Sequence, residues 1–370
     1  MLYFIEAWES DKKNTWSGTP WHLLQSISKL VHVKENDIKL SWIEKKVKEL
    51  WHVSCKLLCI NDAGVLDLIQ GVRHINSLKF TSKASPLLVF GDFKSNFITD
   101  TYIFIDCSVD FIYKNINSKD AYVKFLPCSK KKGAFLRFRE ENALDFYRSC
   151  KGIFTMGQWV ADDLIENTGL PAKKVHCVGG GVNVNQNLVD AGKKEGKRFL
   201  FIGKDFDRKN GPLVVKAFTK LNAKYSNKYE LYIAGPKEWP LPQEIPDGVH
   251  FLGLKTADEL VDYYNLCDVF VMPSVFEAYG LVFAEALVFG LPIIARDAFA
   301  MKDFIKSGDN GYLLKSDSAE DLARLMHSAI EDVKMRNRVY ARRKEYAKFY
   351  SWDAVASRIV NVMNRDGYII

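Results

Sequence analysis

The sequence predicts an α/β protein of two domains, each built around a doubly wound parallel sheet. Apolar runs of strand length alternate with helical stretches along most of the chain, which is typical of parallel sheets covered by helices. The 370 residues exceed what a single hydrophobic core usually serves. Three consecutive glycines, at 179–181, separate two alternating halves, and we therefore expect the domain boundary there.

Composition indicates a globular enzyme of the cytoplasm. Hydrophobic residues make up 48% and charged residues 26%, and no run of about 18 apolar residues could span a membrane. The apolar N-terminus followed by acidic residues favours a first strand over a signal peptide. The seven cysteines lack metal-ligand spacing and indicate reduced thiols. Because the net charge of +7 is mild, we expect no nucleic-acid partner.

The first half contains five predicted strands and three predicted helices. The strands cover 2–5, 86–90, 102–105, 152–156 and 174–178, and the helices cover 21–31, 41–55 and 159–168. Thr19 is the expected N-cap of the first helix, with Pro20 at its first position. Gly18 lies in the loop before this helix, where α/β sheets often hold phosphates, although tight turning alone would also explain it.

The second half alternates more regularly. Its predicted strands cover 198–202, 230–234, 249–252, 269–272 and 291–295, and its predicted helices cover 212–225, 257–266 and 281–289. In sheets of this kind, ligands bind at the carboxyl ends of the strands. The candidate site residues of this half follow those ends.

One stretch, 273–292, carries two carboxylates around a glycine turn and an apolar helix. Glu285 lies in the middle of that helix, where an unpaired carboxylate costs several kcal/mol. Glu277 precedes the turn at Gly280, and the helix start offers unpaired N–H groups to an anion. A nucleoside diphosphate sugar, hydroxyl-rich at both ends and charged in the middle, suits this arrangement. The alternative is a solvated Glu277 and a Glu285 paired with a buried Lys or Arg.

The same stretch resembles a known signature. Around Glu277 and Glu285 stand Pro273, Ser274, Phe276, Gly280, Leu281, Ala286, Gly290, Leu291 and Pro292. Together they resemble the Glu-x7-Glu signature of family 4 retaining glycosyltransferases, which have the GT-B fold. The resemblance implies two Rossmann-like domains facing a cleft. It assigns 1–181 to the acceptor, 182–350 to the nucleotide-sugar donor and 351–370 to a helix crossing back to the first domain.

The resemblance also implies roles for individual residues. The loop at 203–211 resembles the family loop that holds the diphosphate, with Lys204 and Lys209 in the basic positions and Arg208 as a competitor. Glu285 would bind the ribose and Glu277 the donor sugar. Other donor-binding positions carried over are Gly18, Gly203, Gly235, Gly253, Leu254, Ala278, Tyr279, Gly280 and Leu281. Many members have a histidine where Asp106 is the nearest polar residue here, so Asp106 is either catalytic or a cap at the end of the core.

The resulting prediction is a retaining, metal-independent glycosyltransferase. It would move a sugar from a UDP- or GDP-sugar to a glycan or lipid-linked glycan, in bacterial cell-surface polysaccharide or lipid-linked glycan assembly. No bound metal ion or other cofactor is expected, because Lys204 and Lys209 would neutralise the departing diphosphate in place of a metal. The alternatives are a nucleotide-sugar epimerase on the same fold and a non-catalytic nucleotide-sugar-binding subunit.

Basic residues concentrate in the first 150 positions. They are Lys45, Lys46, Lys48, Lys56, Lys130, Lys131, Lys132, Arg137 and Arg139. Such residues usually form a solvated face, and the alternative is attraction to an anionic membrane surface. The predicted amphipathic helix at 41–55 is expected to pack on its own sheet, with peripheral docking on a membrane as the second interpretation. A membrane-bound anionic acceptor and a soluble one therefore both remain open.

Overall fold

The computed structural model describes residues 1–38, 40–57, 64–77, 85–92, 100–126, 134–189 and 196–368. Two compact units are present. The first comprises Met1–Gly180 and Trp352–Ile370, and the second comprises Gly181–Ser351. The boundary expected after residue 181 lies beside this division.

The first unit has, within its described residues, a parallel sheet of six strands. They are β1 (Leu2–Glu6), β2 (Val33–Asp37), β3 (Leu87–Phe90), β4 (Thr101–Ile105), β5 (Gly152–Thr155) and β6 (Val175–Cys177), in the order β2-β1-β3-β4-β5-β6. The residues of β1, β3 and β4 are all buried, as expected for parallel strands covered on both faces. The sequence did not predict β2, because this polar edge strand, VKEND, lacks an apolar run.

Six helices of the first unit precede the domain boundary. They are α1 (Thr19–Ile27), α2 (Trp42–Leu57), α3 (Val65–Ser77), α4 (Val109–Asn115), α5 (Ala134–Ser149) and α6 (Gln158–Glu166). The prediction of 21–31 for α1 was wrong at both ends. Gly18, with φ 83°, is the N-cap in place of Thr19, because its left-handed conformation lets the helix begin directly after the loop.

The second unit has a parallel sheet with the strand order of a dinucleotide-binding fold. Its strands are β7 (Arg198–Ile202), β8 (Glu230–Ala234), β9 (Val249–Gly253), β10 (Val269–Val271), β11 (Ile293–Arg296) and β12 (Gly311–Leu314), in the order β12-β11-β10-β7-β8-β9. The chain proceeds outward from β7 to β9 and then from β10 to β12 in the opposite direction. The topological switch point therefore lies between β7 and β10, where such sheets bind ligands.

The remaining helices cover the second sheet and return to the first unit. They are α7 (Gly211–Lys224), α8 (Ala257–Leu266), α9 (Leu281–Val288), α10 (Met301–Phe304), α11 (Ala319–Glu331), α12 (Val333–Ala341), α13 (Arg343–Phe349) and α14 (Trp352–Arg365). The last of these, α14, packs against α1 in the first unit. Among the described residues, no helix is both long and apolar enough to cross a membrane.

Helix α2 presents most of its large apolar side chains to solvent. Those exposed are Trp42, Ile43, Val47, Leu50, Val53 and Leu57, with Trp42 at 72% and Leu57 at 79% exposure. On this helix, Cys55 is buried and the ring of Trp51 contacts that of Phe135. The expectation that the apolar side of α2 packs on its own sheet is therefore wrong for these six side chains. The Lys56 side chain and residues 130–132 lie outside the described part of the chain.

Asp268, which precedes β10, joins this strand to the start of β7. Its carboxylate accepts the backbone N–H groups of Gly196 at 2.8 Å, Lys197 at 2.9 Å and Arg198 at 2.9 Å, and it is 1% exposed. Backbone groups buried without a partner are costly, so this carboxylate stabilises the center of the second sheet.

We expect Asp268→Ala to lower the free energy of unfolding by about 3 to 5 kcal/mol, because several buried donors lose their acceptor together. Chemical denaturation of the full chain measures the effect. Asp262→Ala, on the exposed side of α8, is the matched control and should change little. A cost for Asp268→Ala within 1 kcal/mol of the control would contradict this role.

Candidate functional site

Two loops meet at the switch point of the second sheet. Residues 203–210 follow β7, residues 272–280 follow β10, and these two strands are hydrogen-bonded neighbors. The loops are also joined directly, since the Val275 N–H donates to the Arg208 carbonyl oxygen at 2.8 Å. The structure thus brings Glu277 together with Lys209 and Arg208, which lie 68 and 69 positions earlier in the sequence.

Glu277 is a buried carboxylate with three donors. Its Oε2 accepts from Lys209 Nζ at 3.1 Å, from Arg208 Nη1 at 3.3 Å and from the Ser274 hydroxyl at 3.3 Å. Burial acts to raise the pKa of Glu277, but the charges of Lys209 and Arg208 outweigh it and hold that pKa below its usual range. The carboxylate is therefore ionised at neutral pH. The alternative of a solvated Glu277 is wrong, because the residue is only 7% exposed.

Arg208 holds the loop that carries Glu277. Its Nη1 also donates to the Phe276 carbonyl oxygen at 2.9 Å, and its Nε donates to Asp205 Oδ2 at 3.2 Å. The planar guanidinium satisfies these acceptors together, which a lysine at this position could not do. The sequence suggested Arg208 as a competitor for the diphosphate, and in the structure its Nε and Nη1 donors are engaged with the protein.

Glu285 is buried in α9 and accepts hydrogen bonds without a cation beside it. The Tyr264 hydroxyl donates to Oε2 at 2.9 Å, and the Asn183 N–H donates to Oε1 at 3.3 Å. Burial raises the pKa of Glu285, against the lowering effect of these two donors and of the Lys209 charge. Among the described residues, no Lys or Arg forms an ion pair with Glu285. The alternative of a buried salt bridge at this position is therefore wrong.

The two candidate lysines differ in environment. The Lys209 side chain is 12% exposed and is fixed by Glu277, with the Met272 sulfur 3.5 Å from its Nζ. Lys204 is exposed, and no described residue accepts a hydrogen bond from it. Lys209 is thus a preorganised charge, and Lys204 is an exposed one on the surface of the same loop.

Close packing accounts for glycine at two of the predicted positions. Gly235 has φ 131°, and a Cβ there would lie 2.3 Å from the carbonyl carbon of Gly203. A Cβ on Gly203 would lie 2.2 Å from Cδ of Lys209. The loop after β8 can therefore pack against the loop after β7 only while residue 235 is glycine, and Gly203 leaves room for the Lys209 side chain within its own loop.

The other predicted donor positions surround these loops. Gly280, with φ 88°, is the N-cap of α9, which begins at Leu281, and Gly253 ends β9 next to the exposed Leu254. Ala278 is half-buried. The ring of Tyr279 is buried against Phe304, with 5.0 Å between ring centroids, and the role of this residue in donor binding remains a prediction. That ring stabilises the core.

Gly18 and Asp106 belong to the first unit. The strained loop that precedes Gly18 is hydrogen-bonded to Asp106. Trp16 and Ser17 adopt left-handed conformations, with φ 46° and 55°, directly before Gly18. For residues other than glycine, this costs about 1 to 3 kcal/mol each. The Trp16 Nε1–H donates to Asp106 Oδ2 at 3.2 Å and anchors the loop to the end of β4. Asp106 therefore has a structural role, and its catalytic role remains a prediction.

Sequence reasoning missed Tyr264 and Asn183 as partners of Glu285, and Arg208 as the residue that fixes the Glu277 loop. No local pattern marks these residues, since each acts on a segment that is distant in sequence. A buried lone carboxylate was the one available signal, and it predicts that partners exist without identifying them.

Comparison with known protein families gives a match in the second unit. Residues 186–346 match the family model described as Glycosyl transferases group 1. An uncharacterized glycosyltransferase of Methanocaldococcus jannaschii is 26% identical, over 59% of this chain and 61% of its own length. A phosphatidyl-myo-inositol mannosyltransferase of Mycolicibacterium smegmatis is 28% identical, over 47% of each chain. The chain thus spans about half the length of these curated relatives.

Solved structures resemble the chain over its whole length. A sucrose-phosphate synthase from Thermosynechococcus elongatus has a TM-score of 0.68 at 14% identity, covering 98% of both chains. The Anabaena protein HepE, solved with UDP and glucose, has a TM-score of 0.61 at 11% identity, covering 98% of this chain and 99% of its own. At these identities the likeness concerns the fold. The fold is therefore the two-domain α/β GT-B fold, and most of the second unit matches the group 1 glycosyl transferases.

Proposed function

We propose that the protein is a retaining glycosyltransferase whose second unit binds a UDP- or GDP-sugar. The observation that carries this proposal is the pair of buried carboxylates at the switch point, one beside a cation and one without. Glu277 with Lys209 suits the junction of sugar and diphosphate, and Glu285 suits a neutral, hydroxyl-rich group such as ribose. The likeness to group 1 glycosyl transferases and to a fold solved with UDP and glucose supports the same donor class.

The binding chemistry follows from the hydrogen-bonding capacity of these groups. Each carboxylate oxygen of Glu285 accepts one bond from the protein and keeps a further lone pair for a ribose hydroxyl. Lys209, held beside the site, and Lys204, free to approach, would neutralise the departing diphosphate. The N–H groups at the start of α9 add a partial positive charge. In this proposal the leaving phosphate helps to remove the acceptor proton, attack occurs on the same face, and no metal ion takes part.

The acceptor in this proposal is a glycan or lipid-linked glycan received by the first unit. The relatives include the phosphatidyl-myo-inositol mannosyltransferase, whose name contains a lipid, and a serotype-specific mannosyltransferase of Escherichia coli. Helix α2 supports peripheral contact with the cytoplasmic membrane face, because it combines exposed apolar residues with Lys45, Lys46 and Lys48. Lys46 and Lys48 are partly neutralised by Glu49 at 2.6 Å and Asp67 at 2.5 Å. The apolar side chains should therefore contribute most of the binding.

Glu285→Ala should weaken binding of the nucleoside diphosphate by about 1.5 to 3 kcal/mol, the range for a hydrogen bond to a charged group. Isothermal titration with UDP and GDP measures this, and thermal unfolding checks that the variant is folded. Asp262→Ala, on the exposed side of α8, is the control. Unchanged affinity in a folded Glu285→Ala protein would refute the assigned role.

Lys209→Met should reduce turnover of the nucleotide sugar roughly 10²-fold or more, because a preorganised charge is lost, while Lys204→Met should cost less. Release of UDP or GDP from a panel of nucleotide sugars is the assay. Thermal unfolding of the Lys209→Met protein checks that the loss is not caused by misfolding around the carboxylate of Glu277, which keeps its contact with Arg208. Excess chelator should leave the wild-type rate unchanged. A loss in chelator that magnesium or manganese restores would contradict the metal-free proposal.

Binding to anionic liposomes should depend on α2. Trp42→Ser with Leu50→Ser should abolish cosedimentation, and replacing Lys45, Lys46 and Lys48 by glutamate should abolish it as well, since both apolar burial and charge contribute. Both variants should retain hydrolysis of the sugar donor. Leu188→Ser, an exposed apolar residue of the second unit, is the control. If the wild-type protein ignores anionic liposomes even at low salt, the acceptor is soluble and the membrane part of the proposal is wrong.

A further inference from the structure

The first unit contains a pocket of its own at the carboxyl ends of β1, β3 and β4. Its volume is about 270 Å³, just below the range typical of sites for drug-sized ligands, so it suits one small ring. The lining residues that matter are Glu6, Trp16, Phe90, Asp92, Phe104 and Asp106. Of these residues, the sequence pattern predicted only Asp106 as a site residue.

Aromatic side chains form one wall of this pocket. The ring centroid of Trp16 lies 6.0 Å from that of Phe90 and 6.0 Å from that of Phe104, both in edge-on geometry. The left-handed backbone at Trp16, together with the hydrogen bond from its indole to Asp106, fixes the ring in this place. Backbone strain at a bulky residue persists only where the surroundings enforce it, and it clusters at functional sites.

Glu6 supplies a polar group that the protein leaves half satisfied. The residue is 7% exposed and lines the pocket, and its Oε1 accepts the Ala7 N–H at 2.7 Å. Among the described residues, none donates to the second oxygen and none forms an ion pair with Glu6. Burial raises the pKa of Glu6 to about 8, against the smaller lowering effect of the Ala7 N–H. The carboxyl is therefore mostly protonated at neutral pH and can both donate and accept a hydrogen bond.

The other ionisable groups facing the pocket are already engaged or neutral. Asp92 accepts from the Tyr147 hydroxyl at 2.8 Å and from Arg139 at 3.4 Å, and Asp106 accepts from Trp16. Burial raises the pKa of the Cys107 thiol well above its usual value, so this group stays neutral. None of the described residues that line the pocket is a Lys, Arg or His. The pocket therefore disfavors an anion and offers an apolar wall beside hydroxyl-binding groups.

We propose that this pocket binds the neutral sugar ring of the acceptor, with Glu6 hydrogen-bonded to a ring hydroxyl and Trp16 packed against the apolar face of the ring. The identification of this ring as the acceptor rests on the proposed function; binding of a neutral sugar ring does not. The proposal also narrows the acceptor class, because any phosphate of a lipid-linked acceptor must lie outside this pocket.

Saturation-transfer NMR tests the proposal with methyl α-glucoside, methyl α-galactoside and methyl α-mannoside as neutral probes. Glucose 6-phosphate is the anionic probe and glucosamine the cationic one. At least one neutral glycoside should bind at pH 7, and glucose 6-phosphate should bind at least tenfold more weakly. Binding should weaken as the pH rises from 7 to 9, because ionisation of Glu6 through its pKa of about 8 removes the proton it donates.

Variants of Glu6 separate this role from a structural one. Glu6→Gln keeps a neutral donor and should bind the glycoside with no pH dependence between 7 and 9, whereas Glu6→Leu should lose at least tenfold in affinity. Glu9→Gln, an exposed acid three residues further on, should behave as wild type.

Glu6→Gln should also be more stable than wild type at pH 9. The free energy of unfolding of the wild type should fall as the pH rises from about 4.5 to about 8. Over this range the Glu6 carboxyl is ionised in the unfolded chain but still protonated in the folded one.

The outcomes distinguish this proposal from the proposed function. Failure of every neutral glycoside to bind would overturn it, as would unchanged affinity in a folded Glu6→Leu protein or tighter binding of either charged probe. Titration with UDP and GDP runs in parallel, and the Glu6 variants should leave those affinities unchanged. Glycoside binding without nucleotide binding would refute the donor assignment alone, and nucleotide binding without glycoside binding would refute this proposal alone.

Discussion

The buried charge of Glu277 is the constraint on which the rest of the candidate site depends. A buried carboxylate without partners costs several kcal/mol, so the loops after β7 and β10 must stay together to keep Lys209 and Arg208 beside it. That contact fixes the chain just before the turn at Gly280, and hence the start of α9. Glu285 is carried by this helix, so its position depends on the same ion pairs.

The sequence predicted the second sheet better than the first. The bounds of β7, β8 and α8 are confirmed at 198–202, 230–234 and 257–266. The two strands were predictable because buried parallel strands are continuous apolar runs with polar residues at both ends. The edge strands β2 and β12 were missed. VKEND is polar and partly exposed, and GYLL is short, so both form through pairing with a neighboring strand and not through their own pattern.

Within the site, burial of Glu285 was predictable and its partners were not. A charged residue inside an apolar helix must be satisfied somewhere, but Tyr264 lies 21 positions away and Asn183 lies 102 positions away. The same distance in sequence hid the contact of Arg208 with Glu277, 69 positions apart. The left-handed Trp16 was beyond prediction for another reason, since bulky side chains disfavor that conformation and only tertiary contacts impose it.

The central claim is that Lys209, Glu277 and Glu285 form a preorganised site for a nucleoside diphosphate. Phosphorus NMR of UDP and GDP, titrated with the protein in excess chelator, tests it most directly, because the β-phosphorus resonance reports contact with a protein cation. The account predicts that the β-phosphorus signal of one of the two nucleotides shifts and saturates, while the corresponding nucleoside binds more weakly. Unchanged signals for both nucleotides at millimolar protein concentration would contradict it.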